Sequence, residues 1–219
     1  MSGQWKLHKF GGSSLADAEC FARVATLLLD NEHARIGVVV SAMGGMTDAL
    51  LRLVTLAEQG DAGFLDELDS IGERYASTAR ALIDGDSLVQ SLDGWGKDAE
   101  ALKETLARIA SNRAANQLSR DVVAGYGEIW SARLLAALLQ HRNAERGGSW
   151  IDARDVLIVS HTELGPTVNW DRSRTNFGKQ VAADFTGVAV ITGFIATDEA
   201  GLQTTLGPVS YTHLRAHET

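Results

Sequence analysis

Cysteine is nearly missing from this chain: Cys20 stands alone, so no internal disulfide can form and nothing points to an oxidising compartment. No N-terminal stretch combines a charged start with an apolar centre, which argues against a secretory signal. No apolar run approaches the ~20 residues of a membrane span. Basic runs are absent too, and 20 Lys and Arg against 28 Asp and Glu leave a net charge of −8, so neither nucleic acid nor an anionic membrane surface is an expected partner. What remains is a cytoplasmic metabolic protein: 219 residues, 45% apolar, enough for one sizeable core and one domain.

The most informative stretch comes first. Trp5 to Phe10 is an apolar run that reads as a strand, and it ends in Lys9-Phe10-Gly11-Gly12-Ser13-Ser14 before a helical pattern begins. Paired glycines let the backbone turn sharply and approach an anion closely. Their N–H groups, with those opening the next helix, favour negative charge, and Lys9 adds a mobile point charge suited to a phosphoryl group. The hexapeptide by itself is equally compatible with an ordinary strand-to-helix turn carrying a surface lysine. It is not a Walker loop, since no Gly-Lys-Ser/Thr follows four variable residues, and no Gly-x-Gly-x-x-Gly fingerprint follows the strand.

Further along, Ala16 to Leu29 places Phe21, Val24, Ala25 and Leu28 at helical spacing, with Cys20 as a core filler. Ile36 to Val40 is a β-branched run of the kind buried in parallel sheets. It leads into a second loop of small residues, Ser41 to Asp48, and such turns at strand C-termini are where open α/β sheets bind ligands. Ser41 and Thr47 could equally cap the helix that follows. Leu50 to Leu118 carries apolar stripes at three- and four-residue spacing and reads as a helical excursion packed on the sheet, its many carboxylates forming solvated faces. Ala124 to Leu139 is a strongly apolar helix with Glu128 near its start, where a carboxylate could simply offset the helix dipole. Trp150 to Asp155 reads as a strand entering a turn with an Asp152–Arg154 ion pair, Val156 to Val159 extends that apolar run, Thr167 to Asp184 is a strand and then a helix, and Val188 to Ala196 is one more buried run.

Taken together these motifs resemble the aspartokinases of the amino-acid kinase family. Lys-Phe-Gly-Gly-Ser-Ser is similar to their N-terminal signature, Ser41-Ala42-x-x-Gly45-x-Thr47 (x being any residue) to their second loop, and Gly125-x-Gly127-Glu128-x-x-Ser131-Ala132 to their substrate helix. The flanks of the first motif are most similar to the aspartokinase half of bifunctional aspartokinase–homoserine dehydrogenases of type II. The resemblance implies a three-layer α/β/α sandwich with a mostly parallel central sheet, incomplete at its C-terminus, with both glycine loops at one sheet edge. It implies phosphorylation of the L-aspartate side chain by ATP with Mg2+ to 4-phospho-L-aspartate, the first step towards lysine, threonine and methionine. Lys9 is then the catalytic residue. Lys9, Gly11, Gly12, Ser13 and Ser41 bind the phosphates; Thr47, Glu128 and Ser131 bind aspartate. No protein-held metal is implied, and the full-length enzyme is expected to be a homo-oligomer. Another acyl phosphate-forming kinase of the same family and a non-catalytic ligand-binding protein are the alternatives.

The resemblance breaks off after Thr204-Thr205-Leu206-Gly207, where aspartokinases continue with an arginine and a glycine-rich Ser-Asp motif. Val209 to Thr219 resembles instead one reading frame of a sequencing-library adapter, so residues 1–208 are expected to be a partial kinase domain and 209–219 a non-native tail. The i, i+4 pair His213 and His217 is accordingly not taken as a metal site. A partial domain is expected to be inactive alone and to expose apolar surface.

Overall fold

The structure, a computed structural model, describes residues 4–163 and 165–207. The adapter-like tail and its two histidines lie outside the described residues. The central layer is a four-stranded, wholly parallel sheet in the order β1 (Lys6–Phe10), β2 (Arg35–Val40), β6 (Gly187–Thr192), β3 (Gly148–Ile151). Strand period divides its residues cleanly between two faces. Ile36, Val38, Val40, Val188 and Val190 point into the main core, whereas Gly37, Val39, Ala189 and Ile191 face the other way.

Helices cover the first face. α1 (Ala18–Leu29) presents Phe21, Val24, Ala25 and Leu28 and starts at Asp17, whose Oδ1 accepts the Cys20 N–H at 2.8 Å. The long α5 (Gln117–Arg142), begun by Asn116 accepting from the Ser119 N–H, is buried along almost all of its second half. By length and composition alone α5 is long and apolar enough to cross a membrane; here it is the core helix against which β2, β3 and β6 pack. The helical excursion is three helices, α2 (Met46–Gln59), α3 (Phe64–Leu82) and α4 (Gly85–Asn112), of which α2 and α4 pack on α5 and α3 packs on those two.

On the second face α7 (Trp170–Gln180) supplies the third layer, but incompletely. Trp5 stacks on Phe185 and meets Phe177 edge-on, beneath the Arg35 guanidinium 4.6 Å away. Beside this cluster an apolar groove of about 910 Å³ stays open, lined by Leu7, Val39, Trp170, Ile191, Phe194 and Leu206 among others. Leu7 is 72% and Trp170 70% exposed.

Two apolar runs divide where turns interrupt them. Val188 to Ala196 is not one strand: the chain leaves the parallel sheet after Thr192 and resumes as β7 (Ile195–Asp198) in a second, mixed sheet ordered β5 (Gly165–Val168), β4 (Ile158–Thr162), β7, β8 (Gln203–Thr205). The break falls at Phe194, held at φ 63° with the Ile195 N–H on the Gly193 carbonyl at 2.6 Å, a tight turn that β-branched flanks conceal in the sequence. Likewise Trp150 to Val159 is interrupted by a single helical turn, α6 (Ala153–Val156), opened by Asp152 accepting the Arg154 N–H. The Asp152–Arg154 ion pair forms at 2.5 Å. Arg154 also donates to Gln203 Oε1, and Gln203 to the Asp121 carbonyl, so the pair joins α6, β8 and α5.

Candidate active site

The two glycine loops follow β1 and β2, neighbouring parallel strands, and so emerge side by side at the same end of the sheet. Ser41 N–H donates to the Phe10 carbonyl at 3.0 Å, carrying the pairing to the mouth of the loops. After Gly11 the first loop closes as a single 3₁₀ turn over Gly12–Leu15, with α1 starting only at Ala18. A side chain at Gly12 would bring its Cβ within 3.0 Å of the Ala42 carbonyl oxygen, and one at Gly44 within 3.2 Å of the Gly12 carbonyl oxygen. Here glycine is required because backbone meets backbone. At Gly11 the space above Cα is open, the geometry an approaching anion needs.

The second loop turns into α2 through Gly45, which sits at φ 73° and caps the helix without a side-chain hydrogen bond. Neither Ser41 nor Thr47 is therefore the cap. Both instead line a cleft of about 510 Å³ together with Gly12, Ala42, Met43, Gly44, Gly45, Asp48, Phe194 and Glu128. Glu128 comes from α5, about a turn and a half into the helix's buried stretch, which begins at Val123. It is 4% exposed, accepts the Ala42 N–H, and leaves Oε2 with no partner. Burial pushes its carboxyl from 4.5 up to about 7; the Ala42 N–H and the positive charge of Lys9 hold the rise in check. The cleft thus ends in a buried carboxylate with an unused acceptor, whose neighbouring charges only partly offset its desolvation.

Gly12, Ser41, Thr47 and Glu128 are gathered around one cavity, with Lys9 close enough to act on Glu128 electrostatically. Ser13 is exposed on the first loop and does not line the cleft. Ser131, one turn after Glu128, is fully enclosed with an unpartnered hydroxyl and does not line the cavity. Two contributors escape the motif reading. Phe194 forms a wall through its turn at the sheet junction, within a stretch whose family likeness is visible but whose geometry is not. Arg74, from mid-α3, carries no motif signal at all, yet its Nη2 donates to the carbonyls of Gly44 and Ala16. Among the described residues no group of three or more His, Cys, Asp and Glu could hold a metal ion.

Two parallel strands delivering glycine loops to one cleft, with a buried acid on a facing helix, place a ligand-sized cavity where open α/β sheets bind small molecules. The chain belongs to the amino acid kinase family, whose profile matches residues 4–211. It is 34% identical over 203 residues to the chloroplastic bifunctional aspartokinase/homoserine dehydrogenase 2 of Arabidopsis thaliana, covering 92% of this chain and 22% of that protein. With bifunctional aspartokinase/homoserine dehydrogenase 2 of Escherichia coli K12 it shares 30% over 203 residues, 92% of this chain and 24% of that one. Among solved structures, E. coli aspartokinase III in complex with aspartate and ADP superposes with a TM-score of 0.71 at 25% identity, over 92% of this chain and 43% of that one. The chain spans about a quarter or less of the length of these curated relatives.

Proposed function

We propose that this chain is the amino-acid-binding part of an aspartate kinase, which transfers the γ-phosphoryl group of ATP to the side-chain carboxylate of L-aspartate. The observation that carries the reading is Glu128: a buried carboxylate with an open acceptor is complementary to the substrate ammonium, which supplies the missing positive charge and excludes acids that lack an amine. Thr47, at the same cleft, offers a hydroxyl to the amino acid. Lys9, the open backbone at Gly11 and the cleft-lining Gly12 receive the phosphates, with Ser41 as a neighbouring donor.

The nucleophile is an aspartate carboxylate, already ionised at neutral pH, so no strong base is called for. Transfer then rests on positioning and charge neutralisation. ATP arrives as its magnesium complex, the metal screening the triphosphate as part of the substrate. The product is an acyl phosphate, 4-phospho-L-aspartate, at the head of lysine, threonine and methionine synthesis. The compartment is the cytoplasm and the whole enzyme a homo-oligomer. Residues 209–219 are a non-native tail.

Hydroxylamine trapping of the acyl phosphate tests the reading. The protein from the gene's complete reading frame should give aspartate-dependent hydroxamate with ATP and Mg2+, and the 219-residue chain alone none. Absence of product from the complete protein, or equal product with carboxylates lacking an α-amine, would sink it.

A further inference from the structure

We infer that Arg74 is a positioning residue that closes the two glycine loops onto each other. A single nitrogen, Nη2, donates to the Gly44 carbonyl at 2.6 Å and to the Ala16 carbonyl at 3.2 Å, so one side chain from α3 bridges the end of the first loop and the middle of the second. The loops touch beneath it through Gly12 and Gly44, where no side chain fits between them. Holding a carbonyl also fixes the following N–H, because the two are antiparallel in a planar trans peptide. Arg74 thereby sets the direction of the N–H of Gly45, a residue that lines the cleft.

The helix that carries Arg74 is itself anchored to the helix that carries Glu128. Tyr75, the next residue, packs its ring 6.2 Å from Trp130 and 6.3 Å from Trp95, and these two indoles lie 5.8 Å apart. Trp130 on α5 donates to Asp98 on α4 at 2.9 Å, and Arg133 of α5 ion-pairs with the same carboxylate. Glu128 is only two residues before Trp130. One assembly of α3, α4 and α5 therefore fixes the spacing of the first loop, the second loop and the buried acid. The helical excursion becomes the frame of the site.

This inference rests on reading the loops as the site of phosphate and amino-acid binding, and two measurements separate the clasp from that reading. The first is amide hydrogen exchange of the 219-residue chain over residues 11–17 and 42–48. Arg74→Met, which fills similar space without donors, should speed exchange in both segments by about tenfold or more while the interiors of α4 and α5 keep their protection. Arg74→Lys should restore it, since both bonds leave from one nitrogen and an ammonium has three donors. The second is steady-state kinetics of the complete protein. There Arg74→Met should lower kcat by about 10- to 100-fold with smaller changes in either KM, as expected of misplaced reacting groups, and Arg74→Lys should recover most of it. Unchanged exchange in both segments, or loss of protection throughout α4 and α5 that lysine does not repair, overturns the clasp. Restored exchange in a complete protein that makes no acyl phosphate leaves the clasp standing and overturns the reading of the site.

Discussion

Replacing Glu128 by glutamine should stabilise the protein, and the gain should depend on pH in a way fixed by the burial of this carboxyl. In the folded chain Glu128 titrates at about 7, against 4.5 when unfolded. Because the folded value is raised, the stabilising contribution of the protonated form is complete below pH 4.5 and is lost as pH rises through 7. Each unit of difference is worth ~1.4 kcal/mol, so the wild type loses about 3 kcal/mol between the two limits. Glutamine keeps an acceptor for the Ala42 N–H and cannot ionise. For a chain of this size about 3 kcal/mol corresponds to roughly 6–12 °C in melting temperature. Thermal unfolding of both proteins from about pH 4.5 to about pH 8 measures it. The difference Tm(E128Q) minus Tm(wild type) should climb across that interval and level off above pH 7, offset by a constant for the unpaired amide N–H₂ placed where Oε2 had no partner. Aspartate should narrow the gap, since its ammonium favours the ionised acid. A difference that stays flat with pH refutes the assignment of Glu128 as a strained buried acid.

Lys9→Met in the complete protein should cost about 100- to 1000-fold in kcat, the scale of losing one charged stabiliser of a transferring group, and should move the Glu128 titration further up because the charge of Lys9 holds it down; an unchanged pH profile would contradict their proximity. Gly193→Ala should destabilise by about 1–3 kcal/mol in chemical denaturation, since its Cβ would lie 2.6 Å from the Val40 carbonyl oxygen, and more than Gly12→Ala, whose nearest contact is 3.0 Å. The reverse ranking would count against the sheet-end geometry. The open groove beside Trp5 should bind the dye ANS, and Leu7→Lys with Trp170→Lys should abolish that signal; persistent fluorescence in the double variant would place the apolar surface elsewhere.

The parts of the site written as local motifs were legible in the sequence. Gly12, Ser41, Thr47 and Glu128 meet because parallel pairing of β1 and β2 brings their loops together and α5 packs across the sheet, and both follow from β-branched runs and helical periodicity. The parallel sheet and the helical excursion were readable on the same grounds. Junctions were not. The run from Val188 to Ala196 is apolar throughout, and nothing in its composition marks Phe194 as the residue that turns the chain from one sheet into another. Arg74 was invisible for a different reason: on a helix with exposed charges, one arginine looks like any other until the loops fold beneath it. Nor could composition show that Ser131 is enclosed and does not line the cleft that Glu128 enters, although the two share a motif.

Strand order gives the last consequence. β2 sits between β1 and β6, and β6 begins at Gly187. A growing chain therefore carries its glycine loop from the first dozen residues but cannot flank β2 on both sides until Gly187 and the strand it opens have been synthesised. Pairings across that much sequence close slowly. During that interval the apolar faces of β1 and β2 await their cover, so the cleft whose chemistry is announced earliest along the chain is among the last features to take shape.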